Sequence, residues 1–327
     1  MKLNFLLFAW CALLSGQQAY LVPAEPVRMP GVGDSNSPAH WNRRGQLVLY
    51  NSDGTPVRSR GADQFSLTKT EAIVWPIDLA WIESTWTDGD GIVYAWYHQE
   101  KLIDCGELPR LSMPVIGAAV SRDDGRSFED LGLVMTADHP PNCAARNGYF
   151  AGGLGDFTVT LDPERRYFYF HYSSYGGPVE SQGVAVARMA FEEREHPVVW
   201  KHSADGWTEP GLGGQTVPFL PATVDWADGA AEAFWGASVH WNTHLGLFVM
   251  LLNHSCCFAG WPQEGIYISY SPELSNPAHW STPVKLFDTG GWYPQVMGLG
   301  PGETDKVAGR EARFYMSGLS EWTIVFE

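Results

Sequence analysis

The sequence predicts an all-β fold, and within that class a five-bladed β-propeller. Three observations carry the expectation: a strand-rich composition, a hairpin motif written five times, and a near absence of helical periodicity. Aromatic residues make up 13% of the 327-residue chain, with 15 Trp and 35 Gly, while charged residues reach only 18%. That balance suits a packed β domain and is far from a disordered or coiled-coil chain. Weak helical patterning is confined to residues 188–196 and 226–234.

The first residues read as an export signal. Lys2 gives a short positive end, Leu3 to Leu14 is mostly apolar, and small or polar residues follow. The run is too short to span a bilayer, which takes about 18 residues or more. Cleavage is expected after Ala19, or as late as Ala24. The remainder, 25–327, is expected to be a single domain, soluble and either secreted or periplasmic. Net charge is −16, which disfavours nucleic acid and anionic membrane as partners, since both select basic surfaces. A monomer is expected.

The first hairpin starts near residue 34 and contains Ser-Pro-Ala-His-Trp-Asn, residues 37–42, before "RRGQLVLYNS". The second is "WIESTWTDGDGIVYAWYH", residues 81–98. The third, 156–174, aligns without a gap on the fourth, 236–254, at an offset of 80, so that Asp162 falls on Asn242. The fourth repeats the Ser-x-His-Trp-Asn pattern at 238–242. The fifth starts at Trp292 with a longer turn. Further β-like runs follow, as in "GAAVSRDDGRSFEDLGLVM", "GVAVARMAF" and "GIYISYSPELSNPAHWSTPVKLF". Strand, turn, strand and outer hairpin make a propeller blade, here of about 60 residues against the usual 40–50. A β-sandwich, the runner-up, leaves the shared internal register unexplained. Trp41 and Trp241 are read as inter-blade packing, and Asn42, Asp88, Asp162 and Asn242 as turn openers. The look-alike His279 falls in an outer strand and is expected to be irrelevant to a site.

Four cysteines follow the signal. Cys105–Cys143 is the favoured pairing, because adjacent cysteines such as Cys256 and Cys257 are poorly disposed to bond to each other. No CxxC or HxxxH spacing marks a metal site.

Propellers place ligands at the mouth of the central channel, where the inner strands begin. In register, the blade starts offer Asp34 and Asn36, then Glu83, then Asp156, then Trp235, then Tyr293 with Gln295. Three carboxyls thus converge from apolar or glycine-rich contexts. His98 and Glu100 share a strand face at period 2. His40 and His240 occupy equivalent positions in blades 1 and 4 and are expected to face each other across the axis, where they would suit a ligand hydroxyl or carboxylate, or a metal with a third carboxylate ligand. A structural or channel cation such as calcium stays open as a cofactor. Paired carboxyls suit glycoside hydrolysis, which needs one protonated and one ionised. Aromatics such as Trp81, Trp235 and Tyr293 suit stacking on sugar rings, though at least half of those near the blade starts are expected to be packing.

On these residues the chain resembles the five-bladed propeller glycoside hydrolases of the arabinanase, xylosidase and fructosidase type. The resemblance implies a base on the first blade, matched by Asp34, and a third-blade carboxylate that tunes the acid, matched by Asp156. The family's fourth-blade acid has no counterpart in register in "FWGASVHWN", so Glu83 or Glu232 must serve. Residues 121–128, "SRDDGRSF", resemble the Asp box of sialidases and other propellers, a fold marker silent on substrate. Candidate arginines (Arg110, Arg146, Arg188, Arg310, Arg313) form no triad in register. "NSPAHW", "WYHQE" and "WYPQV" resemble segments of uncharacterised secreted bacterial propellers. The expected function is hydrolysis of a poly- or oligosaccharide with Asp34 as base or nucleophile, Glu83 as acid and Asp156 as modulator. Substrate-binding residues are Asn36, His40, Trp81, His98, Glu100, Trp235, His240, Tyr293 and Gln295. The alternatives are a polysaccharide lyase using His or Tyr, and a non-catalytic carbohydrate-binding propeller.

Overall fold

A computed structural model describes residues 19–106, 110–258 and 260–327. Five antiparallel sheets stand around one axis in the arrangement of a five-bladed propeller. Blade 1 comprises Ala39–Trp41, Leu47–Ser52, Pro56–Gly61 and Thr68–Ala72; blade 2 comprises Ala80–Thr87, Val93–Ile103, Leu111–Ser121 and Glu129–Met135. Blade 3 is built from Leu154–Leu161, Tyr167–Ser174, Gly183–Ala190 and Val199–Ser203, with Gly206–Pro210 as an extra outer strand. Blade 4 is Ala233–Asn242, Leu247–Ser255, Gln263–Ser271 and Val284–Asp288. Blade 5 runs outward from Gln295–Gly298 through Glu311–Met316 and Leu319–Phe326 to Ala19–Arg28. The chain's first described strand is therefore the outer edge of its last blade, which closes the ring. Ala19 pairs with Phe326 and Pro23 with Trp322. Because Ala19–Arg28 belongs to blade 5, a cut after Ala24 would remove six of that strand's ten residues. The expected signal itself, residues 1–18, lies outside the described residues.

The expected turn openers take that role. Asn42 Oδ1 accepts the N–H groups of Arg44 and Gln46, Asp88 Oδ1 those of Asp90 and Ile92, and Asp162 Oδ1 those of Arg166 and Tyr167; Asn242 Oδ1 serves His244 and Leu245. Each thereby fixes where one inner hairpin turns. Between the third and fourth strands of blade 2, Ser121 and Asp123 bind the backbone of the 121–128 turn, with Gly125 N–H on Ser121 Oγ and Ser127 N–H on Asp123 Oδ1. Gly125 has φ of 72°, and a Cβ there would meet the Tyr50 hydroxyl at 1.7 Å. Arg58 of blade 1 bonds Asp124 of that turn at 2.9 Å, tying the two blades. The weak helical signals become single 3-10 turns, Phe191–Glu193 and Trp226–Asp228. His279 sits in another, Pro277–His279, at the outer edge of blade 4 rather than in a strand.

The core lies between blades. Phe157, Phe168 and Phe170 of blade 3 pack on Tyr94, Trp96 and Ile116 of blade 2. Blades 4 and 5 meet through Val249, Leu251, Ile268, Phe314 and Phe326. Because the sheets stand radially, side chains alternating along an inner strand enter the two flanking interfaces and not the axis. That geometry corrects the expectation for the two histidines. His40 stacks on Tyr50 in the interface of blades 1 and 2, with ring centroids 5.8 Å apart, and His240 meets Phe326 between blades 4 and 5. They do not face each other across the channel. Burial pushes both imidazoles down to about 3, aided by Arg58 beside His40 and Lys306 beside His240, so both are neutral core residues.

Candidate active site

Side chains reach the mouth where the inner strands break register. In blade 2 the pairing slips between Ile82 and Ser84, at Glu83; in blade 3 between Gly155 and Thr158, at Asp156; in blade 4 between Trp235 and Ser238, at Gly236. Bulges re-aim side chains out of the strand's alternation. Asp156 has φ of 42° and Gly236, its counterpart in blade 4, φ of 63°. Left-handed backbone at a non-glycine residue carries strain of order 1–3 kcal/mol, which the surrounding bonds must hold in place. Blade 4 has glycine at this point and contributes no side chain there.

The two buried carboxyls are held differently. Glu83 is fully buried; its Oε1 meets His98 Nδ1, and its Oε2 accepts the Phe157 N–H at 2.9 Å, so both oxygens are engaged. Asp156 Oδ2 accepts the Tyr175 hydroxyl, while its Oδ1 takes no hydrogen bond from the described residues. Burial, and then the neighbouring Glu83 charge, raise Asp156 to about 7, against the opposing pull of His98 and Tyr175. Burial alone would push His98 down, but the charge and hydrogen bond of Glu83 outweigh it and hold His98 at about 9. His98 is thus an imidazolium at neutral pH, clamped between Glu83 and Glu100, with Nε2 4.0 Å from Glu100 Oε1 and its ring stacked on Trp81 at 4.7 Å. Glu100 is partly exposed and accepts the Ser112 hydroxyl at 2.8 Å.

Asp34 is the more open carboxyl. Burial and the charge of Asp53 raise it to about 6, partly offset by the indole edge of Trp81 and the charge of His98. Tyr293 lies over the same group: burial, then Asp156 and Asp34, push its hydroxyl well above the usual phenol range. Burial and Asp156 do the same to Tyr175, which stays a donor.

The mouth therefore gathers Asp34, Trp81, Glu83, His98, Glu100, Asp156 and Tyr293. The other predicted ligands of substrate are structural. Asn36 plugs the axis, donating to the bulged carbonyls of Phe157 at 3.0 Å and Ala237 at 3.2 Å. Gln295 grips both backbone groups of Ser37, joining blade 5 to blade 1. Trp235 is fully buried with its indole N–H on Ser255 Oγ. Sequence reasoning missed Tyr175, one residue past a strand end and outside the repeat's alternation, and Ser173, whose hydroxyl bonds Asp156 O and Gly236 N, coupling the bulges of blades 3 and 4.

Glu83, His98 and Asp156 offer ligand atoms within 4.8 Å of one another. Calcium takes six to eight oxygen ligands. Here the trio offers only three donors, one of them an imidazole nitrogen, so the set does not fit calcium. Both cysteine pairs are bonded: Cys105–Cys143, as expected, and Cys256–Cys257, against expectation.

Fold and mouth together define a five-bladed propeller with a carboxyl-lined entrance. Among solved structures, the chain is similar to the native arabinanase of Bacillus subtilis, with 13% identity over 90% of this chain and 96% of that one and a TM-score of 0.50. It is also similar to an endo-arabinase from Bacteroides thetaiotaomicron, with 10% identity over 92% and 96% and a TM-score of 0.54. At such identities the likeness establishes the fold. No family model and no curated protein matches the sequence.

Proposed function

We propose that the protein is a glycoside hydrolase acting on a poly- or oligosaccharide at this mouth. One observation carries the reading: two carboxyls at the same entrance sit in different environments, Asp34 held at about 6 and Asp156 at about 7. Between those values one is ionised and the other protonated, the division of labour that glycosidic cleavage needs. Asp34 serves as base or nucleophile. Asp156, whose Oδ1 takes no hydrogen bond from the described residues, supplies the proton. Glu83 is better suited to positioning than to proton transfer, since both its oxygens hold other groups. His98 and Glu100 steer sugar hydroxyls, and Trp81 and Tyr293 form the apolar wall. The titles of the two similar structures, an arabinanase and an endo-arabinase, make arabinan the first substrate to try. Export through the N-terminal segment, and a role for the 121–128 turn as a sialidase-type Asp box, belong to the same reading.

A lyase has less support. It needs a base of moderate pKa, whereas His98 is held protonated and Tyr175 and Tyr293 are pushed far up. The test is turnover by Asp34→Asn and Asp156→Asn. Loss of one catalytic acid or base costs about 10²- to 10⁴-fold. Near-normal turnover in both variants sinks the assignment, and an unsaturated sugar product would instead reveal a lyase.

A further inference from the structure

Residues 256–258 and 260–262 lie between the second and third strands of blade 4. Ser255, just before them, pairs with Ala233, the first residue of the inner strand, so this loop stands at the mouth end of the propeller. Three features meet there. Cys256 and Cys257 are bonded to each other, with Cys257 exposed. Phe258 beside them is 76% exposed. A carboxylate oxygen of Glu232 lies within 4.8 Å of both sulfurs, and this half-buried side chain has no hydrogen-bond or ion-pair partner among the described residues.

The loop is anchored from below. Trp261 is buried, 4.3 Å from Trp226 and 5.7 Å from each of Trp235 and Tyr175. Cys256 N–H bonds Pro262 O at 3.3 Å, and Trp235 holds Ser255. Tyr175 is the residue that bonds Asp156, so an aromatic floor runs from the proposed proton donor to Trp261 at the foot of the loop. The exposed surface is apolar, with the Glu232 carboxylate as an acceptor at its edge. Two sulfurs tied to each other are not thiolates, so the trio is not a zinc-type site.

We propose that the Cys256–Cys257 disulfide, Phe258 and Glu232 form a sugar subsite at the blade-4 rim, specific for an uncharged sugar residue. The inference rests on the glycoside hydrolase reading above. The C–H face of a ring lies on the sulfurs and Phe258, as sugar faces lie on aromatic rings. Glu232 accepts one hydroxyl, a charge-assisted bond on a rigid frame. The same carboxylate repels a uronate, as does the chain's net charge of −16.

The experiment uses the full protein, with arabinohexaose and an aryl arabinofuranoside as substrates and a hexagalacturonate as the charged comparison. Variants are Glu232→Gln and the double change Cys256→Ser with Cys257→Ser, each checked by its melting curve. Binding is measured by calorimetry on the Asp34→Asn background. The subsite predicts that KM and Kd for the hexasaccharide rise about tenfold in each variant, from the loss of a charged hydrogen bond or of the apolar face. The rise is at least fivefold larger than on the aryl monosaccharide, and Glu232→Gln strengthens binding of the galacturonate. Because Glu232→Gln leaves the disulfide intact, it decides the matter if the double variant fails to fold. Turnover with unchanged KM in Glu232→Gln overturns the subsite and leaves the hydrolase. A 10³-fold fall of kcat on both substrates makes Glu232 a catalytic acid, which also overturns it. Binding without turnover, weakened in the variants, keeps the subsite and overturns the hydrolase. No binding and no turnover by the unaltered protein overturns both.

Discussion

The pH dependence of kcat/KM is the sharpest test of the paired carboxyls. With Asp34 at about 6 and Asp156 at about 7, the active form has Asp34 ionised and Asp156 protonated. Its population peaks midway, near pH 6.5, at about 0.6 of the enzyme, and falls about sevenfold by pH 5 and by pH 8. The acid limb belongs to Asp34 and the alkaline limb to Asp156. The perturbation is Asp53→Asn. After burial, Asp53 is the largest influence raising Asp34, and it is exposed and outside the catalytic set. Removing its charge moves the acid limb to lower pH and leaves the alkaline limb in place. An exposed charge pair is worth about 0.2–1 kcal/mol, and 1.36 kcal/mol corresponds to one pH unit, so the limb moves by roughly 0.2–0.7. The assay is initial rate on an arabino-oligosaccharide well below KM, from pH 4 to 9.5 at constant ionic strength. A flat profile, or an Asp53→Asn variant that moves the alkaline limb alone, refutes the assignment.

Tyr175→Phe removes a hydrogen bond that lowers Asp156, so the alkaline limb of the same profile moves up in pH while the acid limb stays. His98 is held at about 9, above its ordinary 6.5, so its contribution to stability is fully present below pH 6.5 and lost as pH rises through 9. Denaturant midpoints should therefore fall between pH 7 and 9.5, and His98→Gln should flatten that fall; an unaltered protein with no decline contradicts the ion pair. Cys105 and Cys143 are 38 residues apart, and chain entropy gives their bond about 4 kcal/mol. Cys105→Ser with Cys143→Ser should lower unfolding free energy by up to that amount, read from urea curves.

Much of the fold was legible because one local rule repeats. An Asx residue opens each inner turn of blades 1 to 4, and Asn42, Asp88, Asp162 and Asn242 set the register of the strands around them. The mouth carboxyls were legible for a related reason: Asp34, Glu83 and Asp156 stand at blade starts, in apolar or glycine-rich runs with no local partner. What the sequence could not convey was direction. A period of two says that residues share a face, not what the face meets. His40 and His240 share a position, yet each enters a different inter-blade interface, as radial sheets require. Asn36 and Gln295 appeared free and are spent on backbone groups of other blades. Tyr175 and Glu232 gain their settings only through contacts with other parts of the fold.

The bulges tie these points together. Glu83 and Asp156 leave the alternation because their strands break register there, and the cross-blade bonds of Asn36 and Ser173 hold the breaks of blades 3 and 4 in place. At the same break blade 4 has Gly236, whose φ of 63° suits a residue without Cβ. The acid that the resemblance places on the fourth blade is absent at that position, where the bulge residue is glycine. The sequence gap seen in "FWGASVHWN" is therefore a backbone fact: blade 4 leaves the bulge bare and brings a carboxylate, Glu232, one strand-start earlier, beside the paired sulfurs. On the proposed reading, proton transfer falls to blade 3, whose Asp156 occupies the equivalent bulge and has a raised pKa.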